Sequence, residues 1–272
     1  MSMLQALILG SLQGATEFLP VSSSGHLVIM QHYLGLRQPL VLFDVTLHAA
    51  TLVVVLIYFR HDLGSIAGSL IKLKLHHSQG KLERKIFYLI LVGTIPTVIL
   101  GLILRVWADL LLTRVVLTSA MLIITGILLY MGEKIKRTDR GIKEMSIMDA
   151  FLIGVMQGIA IVPGISRSGA TISTGLLRGI NKEFSFRYSF LLAIPAILGA
   201  LTLSLKDAFI EKSFPPHPLP WIVGLSSAFA VGYFSLVLLR KAVVKGKLSL
   251  FAYYCWILGA GSLILWISRG RV

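Results

Sequence analysis

The sequence predicts an all-α polytopic membrane protein, an inverted repeat with about six transmembrane helices and two re-entrant helix hairpins. Three observations predict it. Hydrophobic residues make up 56% of the 272 residues and charged ones only 14%, against about 25% charged in an ordinary soluble domain; the mean hydropathy is +0.83. The apolar residues gather into six stretches of spanning length. Two further apolar stretches, interrupted by proline, serine and glycine, match each other at a constant spacing.

The six long stretches are residues 40–59, 87–104, 114–132, 186–205, 219–239 and 250–268, each nearly free of charge. Each is close to the roughly 20 residues that a spanning helix requires. They fill the chain, so one membrane domain over residues 1–272 is expected. Residues 1–35 have no Lys or Arg and lack the basic start of a secretory signal, so they are read as mature structure. The single cysteine, Cys255, falls in an apolar span and reads as a small core residue.

The formal net charge of +14 raises nucleic acid as a partner. Its placement excludes that reading, because the basic residues lie between the spans. Arg60 to Lys85 holds six of them, Lys134 to Lys143 five and Arg240 to Lys247 four. Excess Lys and Arg in the loops of one face is the signature of the cytoplasmic side.

The interrupted stretches are 6–25, ALILGSLQGATEFLPVSSSG, and 150–169, AFLIGVMQGIAIVPGISRSG. At an offset of 144, Gln13-Gly14 matches Gln157-Gly158, Ser22 matches Ser166, and Ser24-Gly25 matches Ser168-Gly169. A shared QG pair and SxSG turn in one register point to a duplicated unit. Repeat one is expected over about 1–132 with a re-entrant hairpin at 3–35, and repeat two over about 149–268 with a hairpin at 150–180. About 14 apolar residues precede each break, too few for a span. Broken backbone at membrane depth survives only against protein or a water-filled cavity, and matched broken segments mark binding sites. If both hairpins return to their own side, eighteen Lys and Arg fall on one face and seven on the other. The richer face is then cytoplasmic, both termini lie outside, and the two repeats are inverted.

Few polar groups remain at membrane depth. The first loop carries Gln13, Glu17, Ser22, Ser23, Ser24 and His26; the second carries Gln157, Ser166, Arg167, Ser168, Thr171 and Ser173. Glu17 and Arg167 could form a buried structural ion pair, but intramembrane charges are functional by default. An arginine fork can grip two phosphate oxygens. Gly25, Gly164 and Gly169 admit backbone N–H groups close to an anion, beside helix N-termini that favour negative charge. A serine can attack if a base takes its proton, and Glu17 and His26 are the candidate bases.

The runs QGATEFLPVSSSGH at 13–26, PGISRSGAT at 163–171 and SFLLAIPA at 189–196 resemble the signatures of the undecaprenyl-pyrophosphate phosphatases of the bacitracin-resistance type. The resemblance covers essentially the whole chain. It implies hydrolysis of undecaprenyl pyrophosphate to the monophosphate carrier lipid of cell-wall synthesis, in the bacterial inner membrane, at a site facing outside where the two hairpins meet. It implies Glu17, Ser23, His26 and Arg167 as catalytic residues, and Gln13, Ser22, Ser24, Gly25, Ser166, Ser168, Gly169 and Thr171 around the phosphates. It also implies a divalent cation, Mg or Ca. Many members have Glu where this chain has Gln13, so Glu17 is the sole acid of the motif and the one metal ligand the resemblance implies. The ion is expected to be held largely by substrate phosphates. Expected partners are the lipid substrate, bilayer lipids and, as one option, a second copy of the chain.

Other polar residues read more plainly. Asp44 and His48, one turn apart, suggest an interfacial pair or neighbours of the pocket mouth. His76-His77 is too isolated for a metal site, and Pro96 and Pro195 suggest helix kinks. A secondary transporter shares the inverted repeat and midplane polar groups, yet needs no serine nucleophile. A second class of membrane lipid phosphatase requires a His with an Asp four residues on. Here the next His after Arg167 is His217, with no Asp nearby.

Overall fold

The computed structural model describes residues 1–34, 36, 41–71, 78–105, 115–211 and 218–268. His76, His77, His217 and the loop cations Arg37, Lys72, Lys74, Arg114, Lys212, Arg269 and Arg271 lie outside the described residues. Among the described residues there are eleven helices and no strand: α1 (Met3–Phe18), α2 (Ser23–Tyr33), α3 (Val41–Tyr58), α4 (Arg60–Ile71), α5 (Ser78–Arg105), α6 (Val115–Lys134), α7 (Ile147–Ile159), α8 (Arg167–Leu177), α9 (Lys182–Glu211), α10 (Pro218–Lys245) and α11 (Ser249–Ser268).

Five of these helices, α5, α6, α9, α10 and α11, are long and apolar enough to cross a membrane. A sixth span arises if α3 and α4, bent by 72° at their junction, are taken together. The bend departs from expectation, since hydropathy ends the span at residue 59 and leaves 60–71 to a loop, whereas these residues form α4. Charged residues open that helix, and Asp62 pairs with Arg187 of α9. The ion pair ties the redirected helix to the bundle. Pro96 and Pro195 both lie inside helices, α5 and α9. Spanning helices turn large apolar side chains outward, as with Ile257 (75% exposed) and Phe234 (73%). In water this would invite aggregation; against lipid tails it costs nothing.

The two short helix pairs, α1–α2 and α7–α8, sit among the spans and are built alike. Ser2 caps α1 in a reciprocal capping box with Gln5, and Ser146 caps α7 in the same way with Asp149. Each box satisfies two orphan N–H groups of a first turn. The same residues then clasp each pair at its base. Gln5 Nε2 donates to the Leu34 carbonyl at 3.0 Å, and Asp149 Oδ1 accepts from Arg178 Nε at 2.7 Å. Asp149 also accepts from Arg140 Nη2 at 2.6 Å.

Close helix contact seats each pair. A Cβ at Gly10 of α1 would stand 2.1 Å from the Gly224 carbonyl oxygen of α10, and one at Gly154 of α7 would stand 2.0 Å from the Gly93 carbonyl oxygen of α5. Small residues let membrane helices approach to this distance, where dispersion and Cα–H contacts replace the hydrophobic drive that lipid does not supply. Phe18, the last residue of α1, packs on Phe190 of α9 with ring centroids 5.7 Å apart. Phe190 also contacts Phe59 and Phe186. This buried aromatic cluster fixes the end of α1, from which the first broken loop departs.

Candidate active site

The loop after Phe18 turns sharply at Ser22, which has a φ of 69° and is the one non-glycine residue with positive φ among the described residues. A serine in the left-handed region stores strain, and such strain gathers at functional sites. The Ser22 hydroxyl compensates by accepting the Gly164 N–H at 3.1 Å, across to the second loop. Gly164 has a φ of 96°, and a Cβ there would meet the Thr118 carbonyl oxygen at 2.2 Å. Only glycine serves on both counts.

Further bonds lock the loops together. Ser168 Oγ donates to the Phe18 carbonyl at 2.9 Å. Ser166 caps α8, its hydroxyl accepting the Gly169 N–H at 3.2 Å. Thr125 of α6 donates to the Gly164 carbonyl at 2.9 Å and accepts the Ser166 N–H at 3.1 Å. Thr171 Oγ1 bonds with Ser189 Oγ of α9. Ser166, Ser168 and Thr171 are thus buried and occupied in docking the loops to each other and to the bundle. Gly169 packs against Pro20: a Cβ on it would lie 3.2 Å from the proline ring.

The docking brings together groups far apart in the chain. Glu17, 8% exposed, accepts from Ser23 Oγ at 3.0 Å and from Gln13 Nε2 at 3.0 Å, both on Oε2. Its Oε1 pairs with Arg167 Nη2. His48 Nδ1 of α3 stands 3.2 Å from Glu17 Oε2 and 2.9 Å from Gln13 Nε2. One buried carboxylate therefore gathers a hydroxyl, an amide, an imidazole and a guanidinium from α1, α2, α3 and α8. Both α2 and α8 start here, so their first-turn N–H groups, which have no partner inside the helix, add positive potential for an anion.

The structure separates two residues that sequence spacing places side by side. Ser23 faces Glu17, whereas His26 bonds to the Ser22 carbonyl at 2.8 Å and to the Tyr254 hydroxyl of α11 at 2.7 Å. The two rings also stack, with centroids 5.9 Å apart. A carbonyl only accepts, so His26 carries its proton on Nδ1, and its Nε2 lone pair accepts from Tyr254. Ser24 lies 3.5 Å from Ser22, oxygen to oxygen. The space beside Gly25 is filled by Thr118, 3.3 Å from where a Cβ would stand.

Asp44 and His48 do not form an interfacial pair. Asp44 accepts both its bonds from Gln31 Nε2, at 2.7 and 2.9 Å, while His48 turns to Glu17. The signal for His48 is present in the sequence, since an ionisable residue well inside an apolar span is a site candidate. Tyr254 leaves no such signal, because a tyrosine near a span end usually belongs to the interfacial aromatic belt.

A carboxylate, a serine hydroxyl and an arginine fork beside two helix N-termini are groups of the kind that phosphoryl chemistry uses. Comparison with known proteins narrows the class. The chain belongs to the family described as bacitracin resistance protein BacA, which it matches over residues 6–261. It is similar to the undecaprenyl-diphosphatase of Carboxydothermus hydrogenoformans, 42% identical over 268 residues covering 97% of this chain and 98% of that one. Undecaprenyl-diphosphatases of Desulfosudis oleivorans (45% identical, 98% of this chain and 99% of that one) and Halothermothrix orenii (43%, 97% and 98%) are alike at the same scale.

Proposed function

We propose that this protein is an enzyme that hydrolyses undecaprenyl pyrophosphate to undecaprenyl phosphate and inorganic phosphate within the membrane. Full-length relatives carry that activity in their names. The observation that carries the reading is the contact of Ser23 Oγ with Glu17 Oε2 at 3.0 Å, on a carboxylate anchored by Arg167 of the other loop. A serine already paired with a base is the arrangement of covalent catalysis, and it favours hydrolysis over a secondary transporter.

In the proposed course, Ser23 Oγ attacks the terminal phosphorus as its proton passes to Glu17 Oε2. The bridging P–O bond breaks, and its electron pair leaves on the lipid monophosphate. Water then cleaves the phosphoserine and Ser23 recovers its proton. In the structure the His26 Nε2 lone pair is held by the Tyr254 hydroxyl; once Tyr254 turns away from it, that lone pair is the base for the water. Arg167 and the first-turn N–H groups of α2 and α8 stabilise charge on the phosphoryl oxygens. The residues also fit a divalent cation. Gln13 Oε1 is buried without a hydrogen-bond partner and lies beside Glu17, so two hard oxygen donors would supplement substrate phosphates and water. When bound, the ion would neutralise phosphate charge.

Several features support an inverted repeat with re-entrant hairpins. The capping boxes at Ser2 and Ser146 and the clasps at Gln5 and Asp149 share the offset of 144 found between the two broken loops. The hairpins pack crosswise, α1 on α10 and α7 on α5. With the charge asymmetry, this favours an inner-membrane protein with both termini and the active site outside. The direct test of function is phosphate release from undecaprenyl pyrophosphate by purified protein, with and without EDTA. No release under either condition, from folded protein, would refute the assignment.

A further inference from the structure

At the base of the second helix pair, remote in the chain from Glu17 and Ser23, α5 and the start of α7 enclose a groove of about 910 Å³. One stripe of α5 forms its long wall. Arg84 and Lys85 each stand three or four residues from both Lys81 and Tyr88, the spacing that places side chains on one helix face. The stripe continues through Ile95, while Ile147 stands on the opposite wall. It changes character along its length, basic for its first turn and then apolar or aromatic. Tyr88 is 61% exposed, Ile95 59% and Ile147 69%.

Among the described residues, the hydrogen bonds of these cations go to backbone carbonyls. Arg84 Nε donates to the Gly80 carbonyl at 3.1 Å and Lys85 Nζ to the Lys143 carbonyl at 2.8 Å. Among the described residues, none of the three has a carboxylate partner. Among the described residues, no acidic one lines the groove.

We propose that this groove binds an acidic glycerophospholipid, its phosphate among Lys81, Arg84 and Lys85 and one acyl chain along the apolar stripe. The dimensions suit that occupant. From Lys81 to Ile95 the helix rises about 21 Å, of which the apolar part from Tyr88 onward is about 10 Å, inside the roughly 15 Å of one leaflet's hydrocarbon. Tyrosine at the junction of basic and apolar segments suits the headgroup boundary. A soluble anion would use the basic turn alone and not the apolar stripe that continues from it, and a zwitterionic lipid would leave the net charge unmatched. A lipid wedged here touches α5 and Ile147 together and so holds α7 against α5, where Gly93 and Gly154 meet. Basic pockets between membrane helices recognise acidic headgroups by the same electrostatics.

The test uses the full chain in neutral detergent, titrated with phosphatidylglycerol or phosphatidylcholine of matched acyl chains. Bound lipid is read by native mass spectrometry and unfolding temperature in parallel. Phosphatidylglycerol should bind more tightly and raise the unfolding temperature. The combined variant Lys81→Gln, Arg84→Gln, Lys85→Gln should weaken its binding about 100-fold, from roughly fivefold per cation. The variant Lys241→Gln, Lys245→Gln, Lys247→Gln, which removes as much charge from another exposed basic segment, should leave binding within a fewfold. Ile95→Trp, filling the groove without changing charge, should also weaken it. Phosphate release by each variant reports that it is folded. Equal binding of the two lipids, equal loss in the Lys241 set, or full stabilisation by glycerol phosphate without acyl chains would each overturn the proposal.

Discussion

Arg167→Lys separates the structural from the chemical role of the guanidinium. Arg167 is 19% exposed at its side chain and pairs with a Glu17 side chain that is 5% exposed. Lysine keeps the positive charge opposite Glu17, so the buried carboxylate is not stranded and folding should change little. Alanine does strand it, and removing one partner of a buried pair costs about 3–5 kcal/mol. For chemistry the ranking differs. A point ammonium cannot reproduce two parallel N–H donors on a phosphoryl group. Losing one directed donor to developing charge costs about 3 kcal/mol, which is roughly a hundredfold in rate. The expected result is therefore a Lys variant with near-native unfolding temperature and about a hundredfold lower kcat, and an Ala variant that loses both. Initial rates of phosphate release, with thermal unfolding measured in the same detergent, make the comparison. Turnover of Arg167→Lys within threefold of the parent would refute the bidentate role and leave Arg167 as an ion-pair anchor.

Ser23→Ala should abolish turnover, and rapid quench of the parent with labelled substrate should trap an acid-stable, base-labile phosphoserine; an acid-labile adduct would instead name His26 as nucleophile. His48→Ala removes the imidazole 3.2 Å from Glu17 and should lower kcat by about tenfold or more with little change in KM; unchanged kcat would make His48 a bystander. Gly164→Ala combines an unfavourable φ with a contact to Thr118 that backbone cannot yield, so it should lower the unfolding temperature by several degrees, whereas a native melting curve would contradict the loop docking described. In a Cys255→Ser background, cysteines at Asp139 and Leu219 should be labelled by impermeant reagent only from the cytoplasm and only from outside, respectively; labelling of both from one side would exclude the inverted repeat.

The fold class is legible in the amino-acid sequence, because lipid imposes a length and an apolar content on every span. Those constraints act locally, so α5, α6, α9, α10 and α11 lie close to where hydropathy places them. The two broken loops are legible for a related reason: duplicated QG and SxSG elements stand in one register. Direction and partnership are not legible. Residues 60–71 continue as a bent helix tied down by Asp62 on Arg187 of α9, a contact no window of sequence contains. Spacing puts His26 on the side of Ser23, but the positive φ at Ser22 and the reach of Tyr254 turn it elsewhere. His48 comes to Glu17 because α3 packs against α1, and Asp44 is drawn away by Gln31 of α2. Composition and periodicity decide which segments enter the membrane, since burial in lipid depends on each segment alone. Which polar groups meet inside it depends on helix packing and loop docking, which join residues as far apart as His26 and Tyr254, 228 positions along the chain.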